Sequence, residues 1–130
     1  MDDLIAFLRA RLDEDEQTAR ATADEYGPAW TADNQMESVR SSTGADVVDE
    51  PYTPRHHIAR HDPARVLAEV DAKRRILDVY EEVMTKFTES WSPMVPYDRL
   101  AGTVSSLRRT LEFLALPYAD HPDYRDEWRP

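Results

Sequence analysis

The spacing of apolar residues near the C-terminal end restricts the fold of this chain more than any other sequence feature. Steps of three and four residues alternate through one series: Tyr97, Leu100, Val104, Leu107, Leu111 and Leu114. This spacing puts all six side chains on one narrow face of an α-helix, which is stable when it is buried against another helix. Proline cannot continue a helix, so Pro96 and Pro117 bound the segment. We predict a helix over residues 96–116.

A second helix is predicted at the start of the chain, over residues 2–26. Leucines recur every four residues at Leu4, Leu8 and Leu12, and alanines continue the same face. The Gly27-Pro28 pair is a helix-ending signal, because glycine suits the position after a C-cap and proline cannot follow in a helix.

A third helix is predicted over residues 63–89. Asp62 and Pro63 match the preference for aspartate at the N-cap and proline at the first helical position, so we assign both as a structural cap. Apolar residues then follow with helical spacing, and Ser92-Pro93 is expected to end the helix. Because apolar side chains broaden the face in its second half, this helix is the expected centre of the fold.

Residues 28–53 lose the helical period. Met36–Arg40 and Ala45–Asp49 each read as a short strand, and the turn-forming segment Ser41–Gly44 separates them. This pattern predicts a β-hairpin, or a three-stranded meander if the run around Trp30 joins the sheet. A loosely ordered loop is the alternative.

The tail, residues 117–130, has no period but contains three aromatic residues: Tyr118, Tyr124 and Trp128. Disordered tails are poor in aromatic residues, so we expect this one to fold back along the helices. The predicted fold is mainly α, a single domain over residues 1–130. Three long helices pack together, a small β-hairpin or meander is inserted after the first, and the tail folds back.

The chain is strongly acidic, with 26 acidic and 16 basic residues and a net charge of −10. Residues 1–54 carry most of this excess. Negative charge repels phosphate groups, which disfavours nucleic acid and anionic membranes as partners. There is no cysteine, which excludes disulfides and thiolate metal sites, and no apolar run approaches the roughly 20 residues of a membrane span. We expect a cytoplasmic protein with no cofactor.

Five segments together resemble a family of small proteins of unknown function from high-GC Gram-positive bacteria and their phages. The segments are Met1–Leu8, Arg11–Glu16, His57–Leu67, Ala72–Leu77 and Leu114–Arg125. The resemblance implies a bacterial or phage cytoplasmic setting and a tryptophan-containing hairpin in the middle of the chain. It implies no activity and no catalytic residue.

Three histidines, His57, His61 and His121, suggest a metal site. The first two lie four residues apart, a spacing that puts two ligands on the same side of a helix. The other interpretation is structural, with His61 and Asp62 organising a turn before the third helix.

Two sets of residues suggest protein binding. The first is an aromatic and arginine set typical of interface hot spots: Trp30, Tyr118, Tyr124, Arg125 and Trp128. These rings are equally typical of a cap over a small core. The second set is the acidic run Asp13, Glu14, Asp15 and Glu16, which suits a basic partner or a mimic of nucleic-acid charge. Its other interpretation is a solvated helix face.

The sequence favours a non-enzymatic accessory or regulatory protein that acts by binding another protein. The regular face from Leu100 to Leu114 suits a homodimer, although a helix bundle within one chain would use the same face. Two alternatives remain, a metal-dependent enzyme built on the histidines and an acidic inhibitor of a nucleic-acid-binding protein.

Overall fold

The computed structural model describes residues 2–50, 53–89 and 97–130, and the described chain is mainly helical. Its α-helices are α1 (Asp2–Tyr26), α2 (Arg55–Arg60), α3 (Pro63–Glu89) and α4 (Tyr97–Ala115), with short 3-10 turns at Leu116–Tyr118 and Asp126–Trp128. A small antiparallel sheet lies between α1 and α2 in the sequence: β1 (Trp30–Asp33), β2 (Ser38–Ser41) and β3 (Asp46–Val48). A mainly helical fold with a small sheet after the first helix is therefore confirmed.

The end of α1 and the start of α3 follow their sequence signals. Gly27 ends α1 with φ at 89°, a left-handed conformation that glycine adopts without strain. Asp62 Oδ1 accepts a hydrogen bond from the backbone N–H of Arg65 at 2.9 Å, which caps the first turn of α3 after Pro63. Ser92-Pro93, the predicted end of α3, and the predicted start of α4 at residue 96 lie outside the described residues.

The sheet is a meander in the order β1-β2-β3, with Trp30 opposite Ser41 and Val39 opposite Val48. The first predicted strand is displaced, since Met36 lies in the turn before β2 and is 63% exposed. The cause is Asp33, whose Oδ1 accepts hydrogen bonds from the backbone N–H groups of Gln35 and Met36. Such a turn around an aspartate side chain lengthens the β1–β2 connection and delays the start of β2.

The chain divides into two compact units, one formed by residues 13–71 and the other by residues 1–12 and 72–130. We call them the acidic unit and the aromatic unit. In the acidic unit, α2 packs on β1 and β2, and Val39 is fully buried. The backbone N–H of Ala64 donates to the Pro28 carbonyl at 2.9 Å, which fixes the start of α3 beside the entry to the sheet.

The core of the aromatic unit is built from helix faces that the leucine spacing predicts. Its buried side chains are Leu4, Ile5, Phe7, Leu8, Leu12, Leu77, Tyr80, Leu111, Ala115 and Trp128. A small gap is lined by residues of α1, α3 and α4, including Leu8, Leu77 and Leu114. These three helices therefore face one another at this point.

The regular apolar face of α4 packs within the chain at the C-terminal end of the helix, where Leu111 is fully buried. Leu100, Val104 and Leu107 are half-buried. The homodimer through this face stays a prediction. Larger exposed apolar side chains in this unit include Val79 and Phe113. Within the described ranges, every helix is too short or too polar to cross a membrane.

Candidate functional site

Most of the aromatic residues predicted to bind a partner surround Phe7 of α1. The centroid of its ring lies 6.3 Å from that of Tyr118, 6.0 Å from Tyr124 and 5.0 Å from Trp128. The Tyr118 and Tyr124 rings meet Phe7 edge-on, an arrangement that aromatic pairs favour. Trp128 is only 6% exposed. The rings thus contribute to the packing of the aromatic unit.

Charged groups border this ring cluster. The Arg11 guanidinium lies 5.2 Å from the Phe7 ring centroid, and its Nη1 lies 2.7 Å from His121 Nδ1. Arg125 Nη1 donates to Asp3 Oδ2 at 2.7 Å. Sequence reasoning missed Arg11, although its position four residues after Phe7 places the two on the same helix face.

An open groove of about 520 Å³ runs beside the ring cluster. Its lining includes Tyr124, Arg125 and Trp128 of the tail and Asp3 and Arg11 of α1. The contacts of Arg125 and Trp128 within the chain explain their positions without a partner. Partner binding by Tyr118, Tyr124, Arg125 and Trp128 stays a prediction.

The histidines that suggested a metal site make contacts within the protein. The rings of His57 and His61 are in contact, with centroids 4.4 Å apart and planes tilted by 35°, and His61 Nδ1 donates to the His57 carbonyl at 2.9 Å. His121 lies against Arg11 in the aromatic unit. Among residues 2–50, 53–89 and 97–130, no group of three or more histidine, aspartate or glutamate side chains is placed to hold a metal ion.

Trp30, the remaining member of the predicted partner-binding set, is held in the acidic unit by two hydrogen bonds. Its backbone N–H donates to Asp62 Oδ2 at 3.1 Å, and its indole Nε1–H donates to the Gly27 carbonyl at 2.9 Å. The first bond ties β1 to the cap of α3. The second fixes the plane of the indole, so the ring is positioned from both its backbone and its side chain.

A cavity of about 250 Å³ lies beside the Trp30 ring. Its lining comes from α1, β1 and the start of α3: Asp15, Thr18, Ala19, Thr22, Trp30, His61, Pro63 and Val66. The four α1 residues share a helix face because Asp15 and Ala19, and likewise Thr18 and Thr22, lie one helical turn of four residues apart. The cavity therefore combines an aromatic wall, aliphatic surface, two hydroxyl groups, one carboxylate and the imidazole of His61.

The four residues of the acidic run on α1 differ in their exposure to solvent. Asp13 and Glu14 are exposed, whereas Asp15 and Glu16 are half-buried. Glu16 Oε1 accepts from Arg20 at 2.6 Å, a pairing across one helical turn, and Asp15 lines the cavity beside Trp30. The run is thus more than a uniform solvated face, because one member belongs to a concave site.

Negative charge is concentrated in the acidic unit, which contains fourteen acidic and five basic residues, a net charge of −9. The aromatic unit holds twelve acidic and eleven basic residues, a net charge of −1. Near the end of α1, a hydrogen bond to Glu25 and the charge of that carboxylate raise the pKa of Tyr26. The surface of the acidic unit therefore favours positive groups and disfavours a further negative one.

The whole chain, residues 1–130, matches the profile of a family of unknown function (DUF6221). The chain belongs to this family. Comparison with curated proteins and with solved structures found no match. Membership in a family of unknown function is what the sequence resemblance implied, and the bacterial and phage setting stays a prediction. The family assigns no activity, so any functional argument depends on the residues themselves.

Proposed function

We propose that this protein is a non-enzymatic accessory protein that binds a positively charged partner protein through its acidic unit. The observation that carries the proposal is the charge asymmetry between the two units, −9 against −1. A field of one sign on a single compact unit raises the local concentration of an oppositely charged partner and speeds its association.

A protein partner explains this surface better than a nucleic acid does, because phosphate groups would be repelled by it. The acidic unit also offers concave apolar surface beside Trp30, which a partner side chain can enter. Charge on the rim and an aromatic anchor in a concavity are the two features that protein interfaces combine. The proposed setting is the cytoplasm of a bacterium or its phage, as the sequence resemblance implies.

The proposal is tested by affinity capture with the full chain and two variants of matched charge. One variant neutralises the acidic run by Asp13→Asn, Glu14→Gln, Asp15→Asn and Glu16→Gln. The control neutralises four exposed acids of the aromatic unit by Glu89→Gln, Asp120→Asn, Asp126→Asn and Glu127→Gln. Each variant loses four negative charges, so the two have the same net charge, and a difference in capture cannot be an effect of net charge.

We expect the wild-type protein and the control variant to capture one basic protein that the acidic-run variant does not capture. The complex of wild type with this protein, reconstituted from purified components, should weaken as the salt concentration rises. At 1 M salt the screening length falls to about 3 Å, so an electrostatic complex should dissociate. Equal capture by both variants, or a partner without net positive charge, would overturn the proposal. Competition by DNA for the captured partner would further identify it as a nucleic-acid-binding protein.

A further inference from the structure

We propose that the cavity beside Trp30 binds one arginine side chain of the partner protein. This inference rests on the proposed function, and it names the group that the acidic unit recognises. The cavity lies entirely within the acidic unit, and its lining residues are drawn from α1, β1 and the segment around the start of α3.

The size and surface of the cavity suit a single long side chain. Its volume of about 250 Å³ is below the roughly 300–1,000 Å³ of sites for drug-sized molecules. Ala19, Pro63 and Val66 give it aliphatic surface, and the Trp30 indole gives it an aromatic wall. An arginine side chain has both an apolar stem, which such walls can cover, and a charged end.

Two kinds of polar group in the lining, a carboxylate and hydroxyl oxygens, suit the charged end of that side chain, and the His61 imidazole lies in the same lining. Asp15 is half-buried in the lining and supplies a carboxylate. The Thr22 hydroxyl donates its hydrogen to the Thr18 carbonyl at 2.9 Å, so its oxygen lone pairs are acceptors toward a ligand. A guanidinium has five donors and no acceptor, which matches a carboxylate and a hydroxyl oxygen.

Arginine fits this lining better than lysine does. A planar guanidinium can stack on the indole and still donate to a carboxylate at its edge, whereas an ammonium is a strongly hydrated point charge. The indole is already fixed, since Trp30 donates to both Asp62 and Gly27. A wall that is ordered before binding lowers the entropy cost of the complex.

The test is an NMR titration of the full chain with the peptide acetyl-Gly-Arg-Gly-amide. The probe is compared with the same peptide carrying citrulline, which keeps the shape of arginine but has no charge. We expect the arginine peptide to shift the Trp30 indole N–H resonance and the Thr18 and Thr22 amides in a saturable way. The citrulline peptide should bind at least several-fold more weakly.

Two near-isosteric variants of α1 separate the cavity from the general acidic field. Asp15→Asn removes the carboxylate that lines the cavity, and Asp13→Asn removes an exposed carboxylate two residues away on the same helix. We expect Asp15→Asn to weaken the arginine peptide by about threefold or more and Asp13→Asn to change its affinity by less than about twofold, as surface charges do. Unchanged amide spectra away from the cavity show that both variants are folded.

The inference is wrong if the two variants respond equally, if citrulline binds as well as arginine, or if millimolar peptide leaves the Trp30 resonance in place. These outcomes are distinct from failure of the proposed function. If neutralising the acidic run abolishes capture while the peptide leaves Trp30 unaffected, the charged surface binds the partner and the arginine cavity is rejected.

Discussion

Trp30 is joined to Asp62 by a hydrogen bond of 3.1 Å from its backbone N–H to Oδ2, across 32 residues of sequence. The other oxygen of the same carboxylate, Oδ1, caps α3 by accepting from Arg65 N–H at 2.9 Å. One side chain thus fixes both the start of a long helix and the first residue of the sheet. The position of the Trp30 ring, and of the cavity beside it, depends on this link.

Asp62→Ala should destabilise the protein by about 1–2 kcal/mol through loss of the helix cap, with a further cost from the Trp30 N–H that loses its acceptor. Asp62→Asn should cost less, since asparagine is a good N-cap but has only one side-chain oxygen. Urea denaturation should therefore give the lowest free energy of unfolding for Asp62→Ala, an intermediate value for Asp62→Asn and the highest value for wild type. Equal values for the three proteins would contradict the dual role of Asp62.

Replacement of two glycines by alanine should have opposite effects. Gly27 has φ at 89°, and a Cβ there would overlap Ser41 Oγ, so Gly27→Ala should destabilise the protein by about 1–3 kcal/mol. Gly102 lies within α4 with open space at its Cβ position, so Gly102→Ala should stabilise by about 0.5–1 kcal/mol. Thermal unfolding of both variants checks the sign, and a stabilising Gly27→Ala would disprove the described end of α1.

The ring cluster predicts that replacing two phenylalanines by alanine lowers the free energy of unfolding by different amounts. Phe7 is 7% exposed and contacts four other aromatic rings, including the His121 imidazole, so Phe7→Ala should lower the free energy of unfolding by about 3–5 kcal/mol. Phe113 is 52% exposed and contacts Arg109, so Phe113→Ala should cost less than about 1 kcal/mol. Chemical denaturation measures both. Similar losses for the two variants would show that Phe7 is not at the centre of the cluster.

A pH-dependent prediction concerns two exposed residues of α3. The hydrogen bond from Lys86 and its positive charge lower the pKa of Glu82. The stabilisation is therefore present above the pKa of Glu82 in the unfolded chain and is lost as the pH falls through its lower pKa in the folded protein. Lys86→Ala should return the pKa of Glu82 toward the ordinary glutamate value, as followed by NMR of the side-chain carboxyl group.

Lys73→Ala is the matched control for that titration, because it removes the same charge from another turn of the same helix. It should leave the pKa of Glu82 unchanged. A shift of equal size in both variants would mean that general charge, and not the contact between Lys86 and Glu82, lowers the pKa.

The long helices could be predicted closely from the sequence. For α1 and α3, periodic apolar residues coincide with strong end signals at Gly27 and at Asp62-Pro63, and these local preferences agree with the packing. The start of β2 was predicted less well, because the alternating pattern around Met36 is a weaker sequence signal. The turn at Asp33 is formed by a side chain that accepts backbone hydrogen bonds, and alternation of apolar and polar residues does not report such a turn.

The candidate sites could be predicted only in part. The aromatic residues were identifiable by type, but their common partner Phe7 was not, since the tail has no period that fixes its direction. The cavity beside Trp30 is formed by segments around residues 15–22, 30 and 61–66, which come together only through the turn of the sheet and the Asp62 link. Asp15 was included in the acidic run, and its place in a concave site follows from tertiary structure alone.

The pairing of Asp3 with Arg125, 122 residues apart in the sequence, has a consequence for synthesis of the protein. A ribosome releases the first turns of α1 long before it releases the tail, so the ring cluster around Phe7 cannot be completed until Trp128 has been translated. The acidic unit is one continuous stretch and can fold while translation proceeds. During this interval Phe7 lies uncovered, and transiently exposed apolar surface of this kind binds chaperones and favours aggregation.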